Sequence, residues 1–225
     1  MSRLLPLFLD LESRLVVIFG GGAVGERKAK VFSQCARVVV VSQTFTKGLE
    51  QMQNDNLASL VRADLDEDFE KYLHGAFIVV PATSDPALNS LIEKKASEEG
   101  ILVNRVMGVG DVVVPSIIRK EPITIAISTK SPALSKYLRM RLETCLKENF
   151  AEMARLLSQV RKDLKQTVPD QKIRSKIIWN ILSDQEIWKL LDESYEKAYM
   201  KACQQVLQYE RDCLNAGDSP KGVNR

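Results

Sequence analysis

Between Leu15 and about Asn104, short runs of β-branched residues alternate with stretches whose apolar positions recur at helical spacing. The runs predict strands at Leu15–Phe19, Arg37–Val41, Leu57–Arg62, Ala76–Val80 and Ile101–Asn104. Helices fit between them at Val24–Ser33, Glu67–Leu73 and Pro86–Glu99. The last opens well: Asp85 is an N-cap, and Pro86 takes the first helical position, where its missing N–H costs nothing. Such alternation predicts an α/β domain with a parallel sheet wound on both sides. Ligands of that architecture collect beyond the carboxyl ends of the strands. Here those ends are residues 20–22, 42–44, 81–83 and 104–106, one lip of one sheet.

The pattern changes after Asp111. Val112–Ile118 and Ile123–Ile127 read as two β-runs joined by Arg119-Lys-Glu-Pro122, with Pro115 forcing an edge or a bend. Ser131-Pro132 then starts a helix on which Leu134, Leu138 and Leu142 form an apolar stripe. From there to about Asp212 the chain reads as helical, broken at Thr167-Val-Pro-Asp170, and the tail from Asn215 reads as frayed. A hairpin and helix placed outside a finished sheet domain bury their apolar face poorly alone. Either a twofold partner covers it, giving a homodimer through residues 112–150, or the unit folds back on its own sheet.

Chemistry enters at Gly20-Gly-Gly-Ala-Val-Gly25, which joins the first strand to the first helix. The spacing of Gly20, Gly22 and Gly25 suits a dinucleotide pyrophosphate. The first glycine permits the turn, the second lets phosphate approach the backbone, and the third lets the helix pack on the strand. Ala23 and Val24 open the helix whose amides face the phosphates. The expected plan is therefore a Rossmann-type NAD-binding domain over residues 1–111, a small α+β dimerisation region over 112–150, and a helical C-terminal region over 151–225.

Cofactor choice turns on the end of the second strand. Readers of NAD usually carry an acid there for the ribose hydroxyls, and readers of NADP carry an arginine nearby. This chain has Ser42-Gln43-Thr44 instead, three side chains able to bond a ribose hydroxyl with no cation for a 2′-phosphate. NAD is preferred over NADP, and FAD is disfavoured because little chain remains to enclose a flavin. Ordinary loop chemistry is the competing reading of the three residues.

Bulk composition narrows the class. No apolar run approaches the roughly 20 residues of a membrane span, and the opening Met1–Asp10 turns acidic too soon for a signal peptide, reading instead as an entry segment or edge strand. A net charge of +3 is too small to indicate nucleic acid. Cys35, Cys145, Cys203 and Cys213 form no C-x-x-C pair, so neither a metal site nor a disulfide framework is indicated and a reducing cytoplasm is expected. The single histidine, His74, precedes Gly75 and reads as a turn residue.

Taken together, the residues resemble the precorrin-2 dehydrogenase family, which also forms the N-terminal part of siroheme synthases. The resemblance covers about residues 3–147: Leu5-Pro-Leu-Phe-Leu9, the turn with its Glu26-Arg-Lys-Ala29 continuation, Thr44-Phe45, Ala82-Thr83, Asn89, Asn104, Pro115-Ser-Ile-Ile118 and Ser128…Ser131-Pro132. It implies NAD-dependent oxidation of precorrin-2 to sirohydrochlorin by a dimer. It also implies a cofactor contact at Thr83, a cofactor or loop-shaping role for Asn104, and substrate contacts at Ser128 and Thr129, which match the family's substrate-side serine. Lys120, Lys130, Lys136, Arg139 and Arg141 either meet the carboxylates of such a substrate or form a solvated face.

The family's usual aspartate, three residues after the asparagine matching Asn104, is Met107 here. Asp111 is the nearest carboxylate, and it is either the proton acceptor or an exposed loop acid. The missing aspartate also makes ferrochelatase activity doubtful, and the length leaves no room for a fused methyltransferase. Two other functions compete: a different NAD(P)-dependent oxidoreductase, or an NAD- or tetrapyrrole-binding regulator without turnover.

Overall fold

A computed structural model describes residues 4–215, which divide into two compact units between Val114 and Pro115. The first is a five-stranded, all-parallel sheet. Its strands are β1 (Leu15–Phe19), β2 (Arg37–Ser42), β3 (Ser59–Arg62), β4 (Ala76–Pro81) and β5 (Leu102–Val103), in the order β3-β2-β1-β4-β5. The order reverses between β1 and β4, so the glycine turn after β1 lies at the switch point where such sheets bind ligands.

Alternation along the strands divides the core into two layers. Val16, Ile18, Val38, Val40, Ile78 and Val80 face one side, covered by Ala29 and Phe32 of α1 (Ala23–Phe32) and by Leu49 and Met52 of α2 (Lys47–Asn54). Val17, Phe19, Val41, Val79 and Val103 face the other, against Ile92 and Ala96 of α4 (Pro86–Glu98). Leu65 of α3 (Leu65–Asp68) and the following Phe69 and Leu73 complete that layer. Central β1 is buried on both faces, which explains why its sequence is apolar without alternation.

Four sequence expectations change here. Helix α2 was not foreseen, because its apolar stripe is only Leu49 and Met52 and Gly48 lies inside it. The single helix expected at Glu67–Leu73 is instead α3 followed by a 3-10 turn at Glu70–Tyr72. Of the two readings of the N-terminal segment the edge strand falls away and the entry segment remains: its described residues form no strand, and Leu5, Leu7 and Phe8 stand exposed. The third strand begins at Ser59 rather than Leu57.

The second unit opens with an antiparallel pair, β6 (Ser116–Lys120) and β7 (Ile123–Ile127), on which α5 (Pro132–Cys145) packs. Pro115 marks the limit of β6, so Val112–Val114 stays outside the ladder and packs beside the first unit's core. Four helices follow: α6 (Glu148–Thr167), α7 (Gln171–Ser183), α8 (Gln185–Glu193) and α9 (Tyr195–Asn215). They share a core built on Leu156, Val160, Leu164, Ile177, Ile181 and Ile187. The expected break at residues 167–170 is present, and three further breaks occur, at Leu146-Lys147, Asp184 and Ser194. The tail beyond Asn215 lies outside the described residues.

Candidate functional site

The turn after β1 is built by close backbone approaches. Gly20 has φ +118°, and a Cβ there would come within 2.3 Å of the Ala82 carbonyl oxygen. A Cβ on Gly21 would meet the Thr44 carbonyl oxygen at 2.0 Å, and one on Gly25 would meet the Gly20 carbonyl oxygen at the same distance. Gly22 differs, because a Cβ there would have nothing within 4 Å. Its side faces open space, as a position does when it must stay bare for a ligand rather than for the protein.

Gly22 is also the N-cap of α1, and no side chain caps that helix end. The first intrahelical bond is the Glu26 N–H to the Gly22 carbonyl at 2.9 Å. The earlier amides of the turn, at Ala23, Val24 and Gly25, are donors that a helix cannot satisfy internally. Open donors, a positive dipole end and a bare glycine together fit a pyrophosphate.

The loops on either side are held in place by hydrogen bonds. After β2, the Thr46 N–H donates to the Gly21 carbonyl at 3.0 Å, and the Thr46 hydroxyl donates to Glu26 at 2.6 Å while accepting from the Leu49 N–H as the cap of α2. Glu26 also accepts from Lys30, and these two donors, Lys30 first, hold its carboxyl below the usual range. Two positions further on, burial and then the neighbouring Arg27 push the Lys28 ammonium down. Ser42 is half-buried at the lip, Gln43 and Thr44 are exposed, and all three side chains are without partners among the described residues.

After β4, Asn89 of α4 shapes the opposite loop. The Thr83 N–H donates to Asn89 Oδ1 at 3.0 Å, and Asn89 Nδ2 returns a bond to the Thr83 carbonyl at 3.1 Å. Thr83 is thereby fixed at the lip across from Gly20.

The loop after β5 is closed at its base. Asn104 is only 2% exposed; its N–H donates to the Val79 carbonyl and its Nδ2 to the Val112 carbonyl at 2.7 Å. Its Oδ1 is buried with no partner among the described residues. Such an acceptor calls for a donor from water or ligand. Asp111 Oδ2 accepts from the Val103 N–H at 3.1 Å, so this carboxylate fastens the loop while remaining exposed. Gly110 fits because a Cβ would come within 2.4 Å of the Val103 carbonyl oxygen. Met107 stands at the tip, 87% exposed.

Within the second unit, the Thr129 hydroxyl lies 2.8 Å from the buried Ser135 hydroxyl and donates to the Ser131 carbonyl at 2.6 Å, ordering the entry to α5. Ser128, Lys130 and Lys136 are exposed and unpartnered among the described residues. Lys120 and Arg139 are already neutralised, by Glu148 at 3.0 Å and Glu143 at 2.9 Å. Arg141 joins the two lysines as an exposed cation with no ion pair among the described residues. Among those residues no group of three metal-ligating side chains forms, and no helix is long and apolar enough to cross a membrane.

A family described as putative NAD(P)-binding matches residues 7–116. A precorrin-2 dehydrogenase from Methanosarcina barkeri is 43% identical over 207 residues, which span 89% of this chain and 92% of that protein. A siroheme synthase from Photobacterium profundum is 32% identical over 80% of this chain but only 39% of its own length. A solved structure described as SirC, precorrin-2 dehydrogenase, superposes with a TM-score of 0.69 at 23% identity, covering 92% of this chain and all of that one.

Proposed function

Because the chain belongs to the precorrin-2 dehydrogenase family, we propose that it oxidises precorrin-2 to sirohydrochlorin with NAD. The observation that carries the reading is the glycine turn at the sheet's switch point, with Gly22 open to a ligand where its neighbours are closed by backbone. Two hydrogens leave the substrate, one as hydride and one as proton, and the ring system gains conjugation. When bound, NAD supplies the hydride acceptor at nicotinamide C4.

The chain's own residues bind and orient. The amides of residues 23–25 hold the pyrophosphate, and Ser42, Gln43 and Thr44 reach the adenosine ribose. Thr83 and Asn104 serve the nicotinamide half, Thr83 fixed at the lip by Asn89 and Asn104 at the base of the following loop. In the second unit, Ser128, Thr129, Lys130 and Lys136 serve the substrate carboxylates. An electron-rich macrocycle gives up hydride readily, so positioning carries most of the rate and removal of the proton the remainder. The working form is a homodimer, supported by the exposed apolar residues Leu134, Tyr137 and Met140 of α5.

Asp111 is the proposed proton acceptor, and its bond to the Val103 N–H gives a clean test. Asparagine still accepts that bond but takes no proton. Asp111→Asn is expected to lower kcat by about 10²-fold or more while NAD affinity and melting temperature stay near wild type. Near-normal turnover removes Asp111 from the mechanism and leaves it as a loop fastener.

A second reading, binding without turnover, is favoured by one observation: an exposed methionine, Met107, tips the loop where the family carries its aspartate. Purified protein mixed with precorrin-2 and NAD separates the two. Sirohydrochlorin absorbance and NADH growing together over many turnovers support the dehydrogenase; nucleotide binding with no NADH supports the binder.

A further inference from the structure

The carboxyl end of β2 carries no acid, but in the folded chain a cation stands beside it. Ser42 pairs with Arg62 in the β2–β3 ladder, and the Ala63 N–H donates to the Ser42 carbonyl at 3.2 Å. The Arg62 guanidinium carbon lies 5.9 Å from the centre of the Phe45 ring. That ring reaches the glycine turn, since a Cβ on Gly21 would come within 2.8 Å of Phe45 Cδ1 and 3.1 Å of Ser42 Cβ. Turn, ring and guanidinium thus form one strip across the adenosine side of the lip.

Arg62 is exposed and makes no ion pair among the described residues. Glu26, a carboxylate beside the turn, is occupied by Thr46 and Lys30. In an NAD-selective site, an acid at the end of the second strand claims the ribose hydroxyls and repels a 2′-phosphate. A guanidinium does the opposite, because its fork of N–H donors matches phosphate oxygens. This chain lacks the repelling acid and brings the attracting cation from the next strand.

We infer that Arg62 is a specificity-determining residue that admits a 2′-phosphate, so that NADP is accepted alongside NAD. The inference rests on the nucleotide reading of the glycine turn. The expectation of NAD drawn from Ser42-Gln43-Thr44 stands, and Arg62 adds acceptance of NADP to it.

Calorimetric titration of the full-length protein with NAD and with NADP tests it, using wild type, Arg62→Ala and Arg62→Lys. In wild type the two dissociation constants are expected to agree within about tenfold. Arg62→Ala is expected to weaken NADP by about tenfold, the worth of one charge-assisted hydrogen bond, with NAD changed less than about twofold. Arg62→Lys should recover part of the NADP affinity. Wild-type NADP more than about tenfold weaker than NAD, or an Arg62→Ala loss equal for both nucleotides, overturns the inference. Failure of NAD itself to bind wild type refutes the nucleotide reading beneath it, and the NAD arm shows that separately.

Discussion

Gly22 and Gly25 sit three residues apart in one turn, yet alanine is expected to fail at each for a different reason. At Gly25 the added Cβ meets the Gly20 carbonyl oxygen at 2.0 Å, so helix and strand must separate; overpacking of this kind costs about 1–3 kcal/mol. At Gly22 the added Cβ meets no protein atom. Gly22→Ala should therefore melt close to wild type, within about 1 kcal/mol, since only the cap preference changes. Its NAD affinity should nonetheless fall by about tenfold or more, because the methyl occupies ligand space. Thermal melts and NAD titrations of both variants check the split; a Gly22→Ala protein that binds NAD normally would show that the pyrophosphate lies elsewhere. These glycines were legible in the sequence because their roles depend on local spacing. Arg62 was not, because its position beside Ser42 is a consequence of strand pairing across twenty residues.

At the scale of elements, one carboxylate links α1 to the cap of α2. Glu26 accepts from the Thr46 hydroxyl and from Lys30, so its folded pKa falls below the ordinary 4.5. A depressed carboxylate adds stability that is present above its unfolded value and lost as pH falls through the folded one. The wild type should thus lose melting temperature as pH drops below about 4.5 more steeply than Glu26→Gln, which has no charge to lose there. Parallel acid profiles for the two proteins would exclude this contribution. The same contact explains why α2 escaped the sequence reading. Its stability comes from the Thr46 cap and from Leu49 and Met52 entering a core made by other segments, while its own hydrophobic pattern is two residues long. The missed breaks in the C-terminal helices are similar. Asp184 both ends α7 and caps α8, and Trp188 Nε1 donates back to the Leu182 carbonyl at 2.7 Å, so the bend is closed by side chains that a helical periodicity does not distinguish.

For the whole molecule, the informative surface is α5. The sequence stripe Leu134, Leu138, Leu142 predicts a buried face, yet Leu134 and Leu142 are exposed in the single chain, as are Tyr137 and Met140. Only Ser135 of this helix is counted as buried, where it bonds to Thr129. An amphipathic helix left this open in one protomer needs another surface, and a second copy of the chain is the simplest source of one. The chain is expected to sediment at about twice its 25.3 kDa at micromolar concentration. Tyr137→Glu, at an exposed position, should shift it toward the single-chain mass with little change in the melting of a dilute sample. A wild type that sediments as one chain would leave α5 without an occupant and would remove the dimer. A Tyr137→Glu protein that stays dimeric would move the interface elsewhere. Turnover measured on the same samples then separates assembly from chemistry: if the dimer completes the site, kcat should fall in proportion to the monomer fraction while NAD still binds the glycine turn of each chain.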